Sequence, residues 1–141
     1  MKKILIVSAN YYEAISNNLL NEAEQILNRS KIKFELVTVP GIFEIPVIIS
    51  KNIKRYDGFV ALGCVIKGET PHFDLISKAT FNGLMKLSIE SKKPIGNGII
   101  TSVNLKQAQA RSSTTKKSSK KNKGKEAVNA VISVLKNVTK K

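Results

Sequence analysis

Short apolar runs alternate with stretches of helical period along the whole chain. Lys3–Ala9 (KILIVSA) is a β-rich run that stops at Asn10. From Glu13 to Arg29, Ile15, Leu19, Leu20, Ala23, Ile26 and Leu27 recur at helical spacing. Residues 33–40 (KFELVTVP) read as a second strand, stopped by Pro40-Gly41. Residues 42–56 read as a helix, with Pro46 tolerable only in its first turn, where a missing N–H costs little. Gly58–Ile66 (GFVALGCVI) is almost unbroken in its apolarity, which suits a strand buried on both faces. A long helix follows over about residues 74–91, then a fourth strand at 94–102 and a helix at 104–111 capped by Asn104. Residues 124–137 form a last helix, with Ala127, Val128, Val131, Val134 and Leu135 on one side.

Strand and helix alternating with short connections predict a parallel sheet covered on both faces. The expected fold is a three-layer α/β/α sandwich on a four-stranded parallel sheet, flavodoxin-like, with residues 1–141 as one domain. No linker separates two domains, and no internal repeat is present.

Composition changes this picture little. With 42% hydrophobic residues in 141, the chain is globular in character. A single cysteine, Cys64, excludes an internal disulfide framework and a multi-cysteine zinc site. Lying inside an apolar run, it reads as a buried small residue before it reads as a nucleophile. The first residues, MKKILIVSAN, hold only a short apolar run, too short for a signal-peptide core or a membrane span, so a cytoplasmic location is expected. The net charge of +14 raises nucleic acid as a partner. Residues 1–110, however, carry 14 basic and 9 acidic side chains, against 10 and 1 in residues 111–141. Most of the excess lies in residues 111–125 and in the basic tail over 138–141, and the Ser/Thr/Lys connector over 112–121 is low in complexity and expected to be solvated and mobile. The aromatics are not interleaved with these lysines, so no nucleic-acid partner is expected.

Ligands of parallel α/β sheets bind beyond the carboxyl ends of the strands. There the sequence sets Asn10, Tyr11 and Tyr12; then Pro40-Gly41-Ile42-Phe43-Glu44; then Lys67-Gly68-Glu69-Thr70-Pro71-His72; then Thr101 and Ser102. Each has an uneventful reading too. Gly68 and Thr70 suit a strand-to-helix turn, Glu44 could serve only a helix dipole, and Tyr11, Tyr12, His72 and Arg111 could be structural. Together they form a rim suited to a polar, planar, phosphorylated ligand with histidine acid/base work, without revealing the reaction.

Four strings carry a resemblance: VPGIFEIP, ALGCVIKGETPHFD, NGIITSVNLKQAQAR and NKGKEA. In this order, over nearly the whole chain, they resemble the 6,7-dimethyl-8-ribityllumazine synthase family. The resemblance implies a transferase-class condensation of 5-amino-6-(D-ribitylamino)uracil with 3,4-dihydroxy-2-butanone 4-phosphate, the penultimate step of riboflavin biosynthesis. It implies no metal and no organic cofactor. It makes His72 the proton-transfer residue, suited to giving and taking protons near neutral pH. Tyr11 would stack on the pyrimidine. Backbone around Ile42, Phe43, Cys64, Val65 and Ile66 would read the pyrimidine's polar edges, and Glu44 would accept from ribityl hydroxyls. Glu69 and Thr70 would hold the phosphate through backbone N–H groups, with Arg111 as a cationic fork at a subunit boundary. Lys123 and Glu126 would line the site, and Asn97 would face the neighbouring subunit's pocket.

Two departures from the family pattern concern assembly. The connector is about four residues longer than in many relatives, and the first sheet strand begins at once, without the extra leading strand of many relatives. In the family both features accompany pentamers rather than sixty-subunit shells, so a homopentamer is expected, with riboflavin synthase as a candidate protein partner. The alternatives at this point are a flavin- or lumazine-binding protein without catalysis and a basic nucleic-acid-binding module.

Overall fold

The computed structural model describes residues 2–68, 71–115 and 121–137. Four strands, β1 (Lys3–Ala9), β2 (Lys33–Val39), β3 (Gly58–Ile66) and β4 (Ile95–Ser102), form one parallel sheet in the order β2-β1-β3-β4. The two inner strands are the most apolar. From Ile4 to Val7 and from Phe59 to Leu62 every side chain is fully buried, as expected of strands covered on both faces. Each such Ile, Leu, Val or Phe contributes about 1.5–3 kcal/mol relative to exposure. β2, at one edge, is mostly exposed.

Alternation along the strands divides the core in two. Ile4, Ile6, Val60, Leu62, Cys64 and Ile100 face α1 (Glu13–Arg29), α4 (Leu105–Arg111) and α5 (Lys123–Lys136). Leu5, Val7, Ala9, Phe59, Ala61 and Ile99 face a 3-10 turn at Ile42–Glu44, α2 (Ile45–Lys51) and α3 (His72–Ser91). The layers approach closely where side chains are missing. A Cβ on Gly96 would lie 2.3 Å from the Ala127 carbonyl oxygen, so α5 rests on the β4 backbone. A Cβ on Gly124 would lie 2.2 Å from the Leu19 carbonyl oxygen, so the first turn of α5 abuts α1.

Three elements differ from the periodicity reading. The helix expected over 42–56 begins as a 3-10 turn, with Pro46 in the first turn of α2, and stops at Lys51. Asn52 ends it, donating through Nδ2 to the Ile48 carbonyl at 2.8 Å. The chain then turns so that Tyr56 enters the core against Phe59. Helix α3 starts at His72 rather than near Asp74, so the histidine sits in its first turn. In α5, Val134 is exposed although it shares the apolar stripe. Val131 packs at Gly58 and Gly96, and the next turn is covered through Leu135 rather than Val134.

The start of the connector is anchored, whereas Lys121 at its far end is exposed and residues 116–120 and 138–141 lie outside the described residues. Ser112 is buried and donates to the Ala108 carbonyl at 2.9 Å. The Ser113 carbonyl accepts from Asn122 Nδ2 at 3.1 Å.

Candidate active site

Going from β1 to β2 the chain steps one way along the sheet, and going from β2 to β3 it steps back across β1. The carboxyl ends of β1 and β3 therefore flank the point where strand order reverses, the usual crevice of such sheets. β3 outruns β1 there. Its pairing with β1 ends at Leu62, whereas its pairing with β4 runs on to Ile66. The backbone of Cys64, Val65 and Ile66 thus has an edge with no ladder partner on the β1 side. Ile42 plugs the base of this crevice, since a Cβ on Gly63 would strike its Cγ2 at 2.8 Å. Being buried, Ile42 offers a ligand only backbone.

Tyr11 stands over the end of β1 with 75% of its surface exposed, edge-on to Tyr12 at 5.0 Å between ring centres. Tyr12 packs on the α1 side of the core and anchors the pair, its hydroxyl pKa raised by burial first and then by Cys64 and Tyr11. The α1 turn is tied to β1 by Ser16, whose hydroxyl donates to the Ala9 carbonyl at 2.5 Å. Tyr11 is thereby held as an exposed aromatic face on a fixed base.

On the α2–α3 side, Phe43, Glu44, His72, Leu75, Ile76 and Ala79 line a cleft of about 490 Å³. Glu44 Oε1 accepts from the Gly41 N–H at 3.0 Å. This caps the 3-10 turn, a contact beyond the helix-dipole role considered from sequence, and it leaves Oε2 without a partner among the described residues. Residues 72, 75, 76 and 79 follow the i, i+3, i+4, i+7 spacing of one helical face. That spacing was the signal by which Leu75, Ile76 and Ala79 could have been found from sequence. Cys64 is buried on the other face of the sheet, toward α1 and α5, its thiol pushed up to about 11 by desolvation.

On the opposite side, Thr101, Arg111, Lys121, Lys123 and Glu126 line a second cleft of about 580 Å³. Asn104 caps α4 by accepting from the Gln107 N–H at 2.9 Å, and the last residue of α4, Arg111, donates through Nη1 to the Thr101 carbonyl at 3.2 Å. Asn122 starts α5, its Oδ1 accepting from Gly124 and Lys125 N–H at 2.9 and 3.1 Å. Asn97 lies on the exposed edge of β4, its Oδ1 accepting from the Ile99 N–H at 3.0 Å. Lys121 is the residue of this cleft that sequence reasoning missed, because it looked like one lysine among many.

The structure therefore sorts the expected residues into two groups. Phe43, Glu44 and His72 gather on one side of the sheet, Arg111, Lys123 and Glu126 on the other, and the two clefts have no lining residue in common. Glu69 and Thr70 lie outside the described residues.

A family model for 6,7-dimethyl-8-ribityllumazine synthase matches residues 1–139. The chain is similar to the 6,7-dimethyl-8-ribityllumazine synthase of Bartonella bacilliformis, at 43% identity over 136 residues, covering 94% of this chain and 87% of that protein. The Bartonella henselae protein of the same name is 45% identical over 136 residues, covering 94% and 85%. The one from Agrobacterium fabrum is 40% identical over 139 residues, covering 94% and 91%. With the match running through both clefts and every strand, this chain belongs to the 6,7-dimethyl-8-ribityllumazine synthase family.

Proposed function

We propose that the chain, acting as one domain, condenses 5-amino-6-(D-ribitylamino)uracil with 3,4-dihydroxy-2-butanone 4-phosphate. The products are 6,7-dimethyl-8-ribityllumazine, phosphate and water. The observation that carries this reading is the family match over residues 1–139, and the chemistry of the two clefts supports it.

In the reaction, the pyrimidine's free amine attacks the ketone carbon, and the carbonyl oxygen leaves as water to give an imine. Loss of a proton from the adjacent carbon expels phosphate. The enol left at that carbon tautomerises to a new ketone, on which the ribityl-bearing nitrogen closes the ring, and a second dehydration completes the lumazine. His72 gives a proton to the departing oxygen and takes one from carbon, each transfer requiring an imidazole within hydrogen-bond reach. Tyr11 supplies a face for the flat pyrimidine, the unpaired β3 edge at Cys64, Val65 and Ile66 reads its polar rim, and Glu44 Oε2 accepts from ribityl hydroxyls. Arg111 and Lys123 hold the phosphate with Glu69 and Thr70. Holding both substrates in one cleft supplies much of the rate as proximity. A thiol raised to about 11 stays protonated, so Cys64 takes no part as a nucleophile.

His72 and Arg111 line clefts on opposite sides of the sheet, so a site using both draws them from two protomers. The α2–α3 side offers the surface: Val47, Leu75, Met85 and Ile89 are all more than half exposed. A homopentamer closes such a head-to-tail contact. The setting is the cytoplasm, with a riboflavin synthase consuming the product; none of the described helices is long and apolar enough to cross a membrane.

The test is incubation of the purified chain with both substrates, following lumazine absorbance and phosphate release. Equal formation of the two is expected. Binding of the pyrimidine without product would favour a non-catalytic lumazine-binding protein, and neither binding nor product would overturn the reading.

A further inference from the structure

Three cations converge on the cleft at the start of α5. Arg111, Lys121 and Lys123 line it with Thr101 and a single carboxylate, Glu126. Among the described residues, no carboxylate lies within ion-pair distance of any of the three, the one such pair being Lys3 with Glu35. This is an unfavourable place for lysines. A helix N-terminus carries the positive end of the dipole, and basic side chains are stabilising at the other end. The conflict between local electrostatics and position points to an anion that the site is built to receive.

The amides of α5 leave little for that anion. Asn122, which has no exposed surface, takes the Gly124 and Lys125 N–H groups through its side chain and the Glu126 N–H through its carbonyl. An anion entering the cleft therefore meets side-chain cations rather than free helix donors. Arg111 is fixed to β4 through Thr101 and Lys123 begins the helix. Lys121 stands exposed one residue before the cap and projects a third positive charge into the same space.

We propose that Lys121 is a further binding residue for the phosphate of the butanone substrate, acting beside Arg111 and Lys123. The inference rests on the function proposed above and deepens its phosphate subsite. Among the described residues, three cations against one carboxylate leave an excess of two positive charges, which matches a phosphate monoester dianion. Arg111 and Lys123 with Glu126 alone would leave half of that charge uncompensated.

The experiment compares full-length wild type with Lys121→Ala, Lys121→Arg and Lys51→Ala, the last removing an equal charge from the exposed end of α2. Each is measured for kcat, for KM of both substrates and for affinity toward inorganic phosphate without any reaction. In Lys121→Ala, KM for the butanone phosphate should rise about tenfold, as for one lost charge-assisted hydrogen bond. Phosphate affinity should fall in parallel, while kcat and the pyrimidine KM change less than about twofold. Lys121→Arg and Lys51→Ala should stay near wild type. Unchanged KM and phosphate affinity in Lys121→Ala, or an equal shift in Lys51→Ala, would overturn the assignment. Phosphate binding that depends on Lys121 in a protein forming no lumazine would support Lys121 as an anion ligand and overturn the reaction instead.

Discussion

His72 and Cys64 both lie near the end of β3 and both carry proton or nucleophile chemistry, and their surroundings separate them. The imidazole is exposed in the first turn of α3 and borders a cleft. The thiol is buried and raised to about 11. His72→Ala should lower kcat about a hundredfold, the scale of one general acid/base group, with KM changed little. Its melting temperature should hold, since an exposed ring contributes little packing; unaltered kcat would remove His72 from the reaction. Cys64 makes the opposite forecast. Its folded pKa lies above the ordinary 9.0, so the native state holds the thiol proton more tightly than the unfolded chain. That contribution to stability is complete below pH 9 and is lost as pH rises through about 11. Native protein at pH 8 should resist alkylation by iodoacetamide until it is unfolded, and rapid labelling of the folded form would contradict the burial. An apolar run made Cys64 legible as a core residue from sequence. The cap that Glu44 Oε1 makes on the Gly41 N–H was not legible, because periodicity does not show that the helix is entered through a 3-10 turn.

Element boundaries followed the chemistry of their end residues more than hydrophobic period. Strand β3 and helix α1 begin and end where their patterns do, whereas α2 stops early because Asn52 turns back on Ile48 and Tyr56 is needed in the core. The end of α1 carries a cost that sequence alone hides. Lys31 sits in the left-handed region at φ 56, donating its N–H to the Asn28 carbonyl, while Ile32 N–H reaches the Leu27 carbonyl at 3.0 Å. These two bonds are the Schellman closure, and its left-handed position favours glycine. A side chain there costs about 1 kcal/mol or more, partly offset by the unfolded-state freedom glycine adds. Lys31→Gly should therefore raise unfolding free energy by about 0.5–1 kcal/mol in urea titration without altering turnover, as neither cleft includes it. A loss of stability would mean the lysine side chain holds something the backbone geometry does not reveal.

The division of the site belongs to the whole molecule, and strand order decides it. Right-handed crossovers place a helix on one side when the chain steps one way along the sheet, and on the other when it steps back. With order β2-β1-β3-β4, the first crossover sends α1 to one side, and the next two send α2 and α3 to the other. Periodicity named the strands without fixing which way the first step goes, so the rim residues read as one cluster in sequence. The structure sets His72 with α3 and Arg111 with α4, on opposite sides. A ring in which each site takes His72 from one protomer and Arg111 from the next makes a quantitative forecast. His72→Ala chains and Arg111→Ala chains should each be impaired alone. When equal amounts are co-assembled, a site is intact only where an Arg111→Ala chain supplies histidine and a His72→Ala neighbour supplies arginine. Random mixing in a closed cyclic ring gives that arrangement at about a quarter of contacts, so activity should recover to about a quarter of wild type. If both residues served the same chain's site, every site would carry one defect and mixing would restore nothing. Recovery that vanishes when the two variants are assembled separately and then combined would locate the complementation within the ring itself.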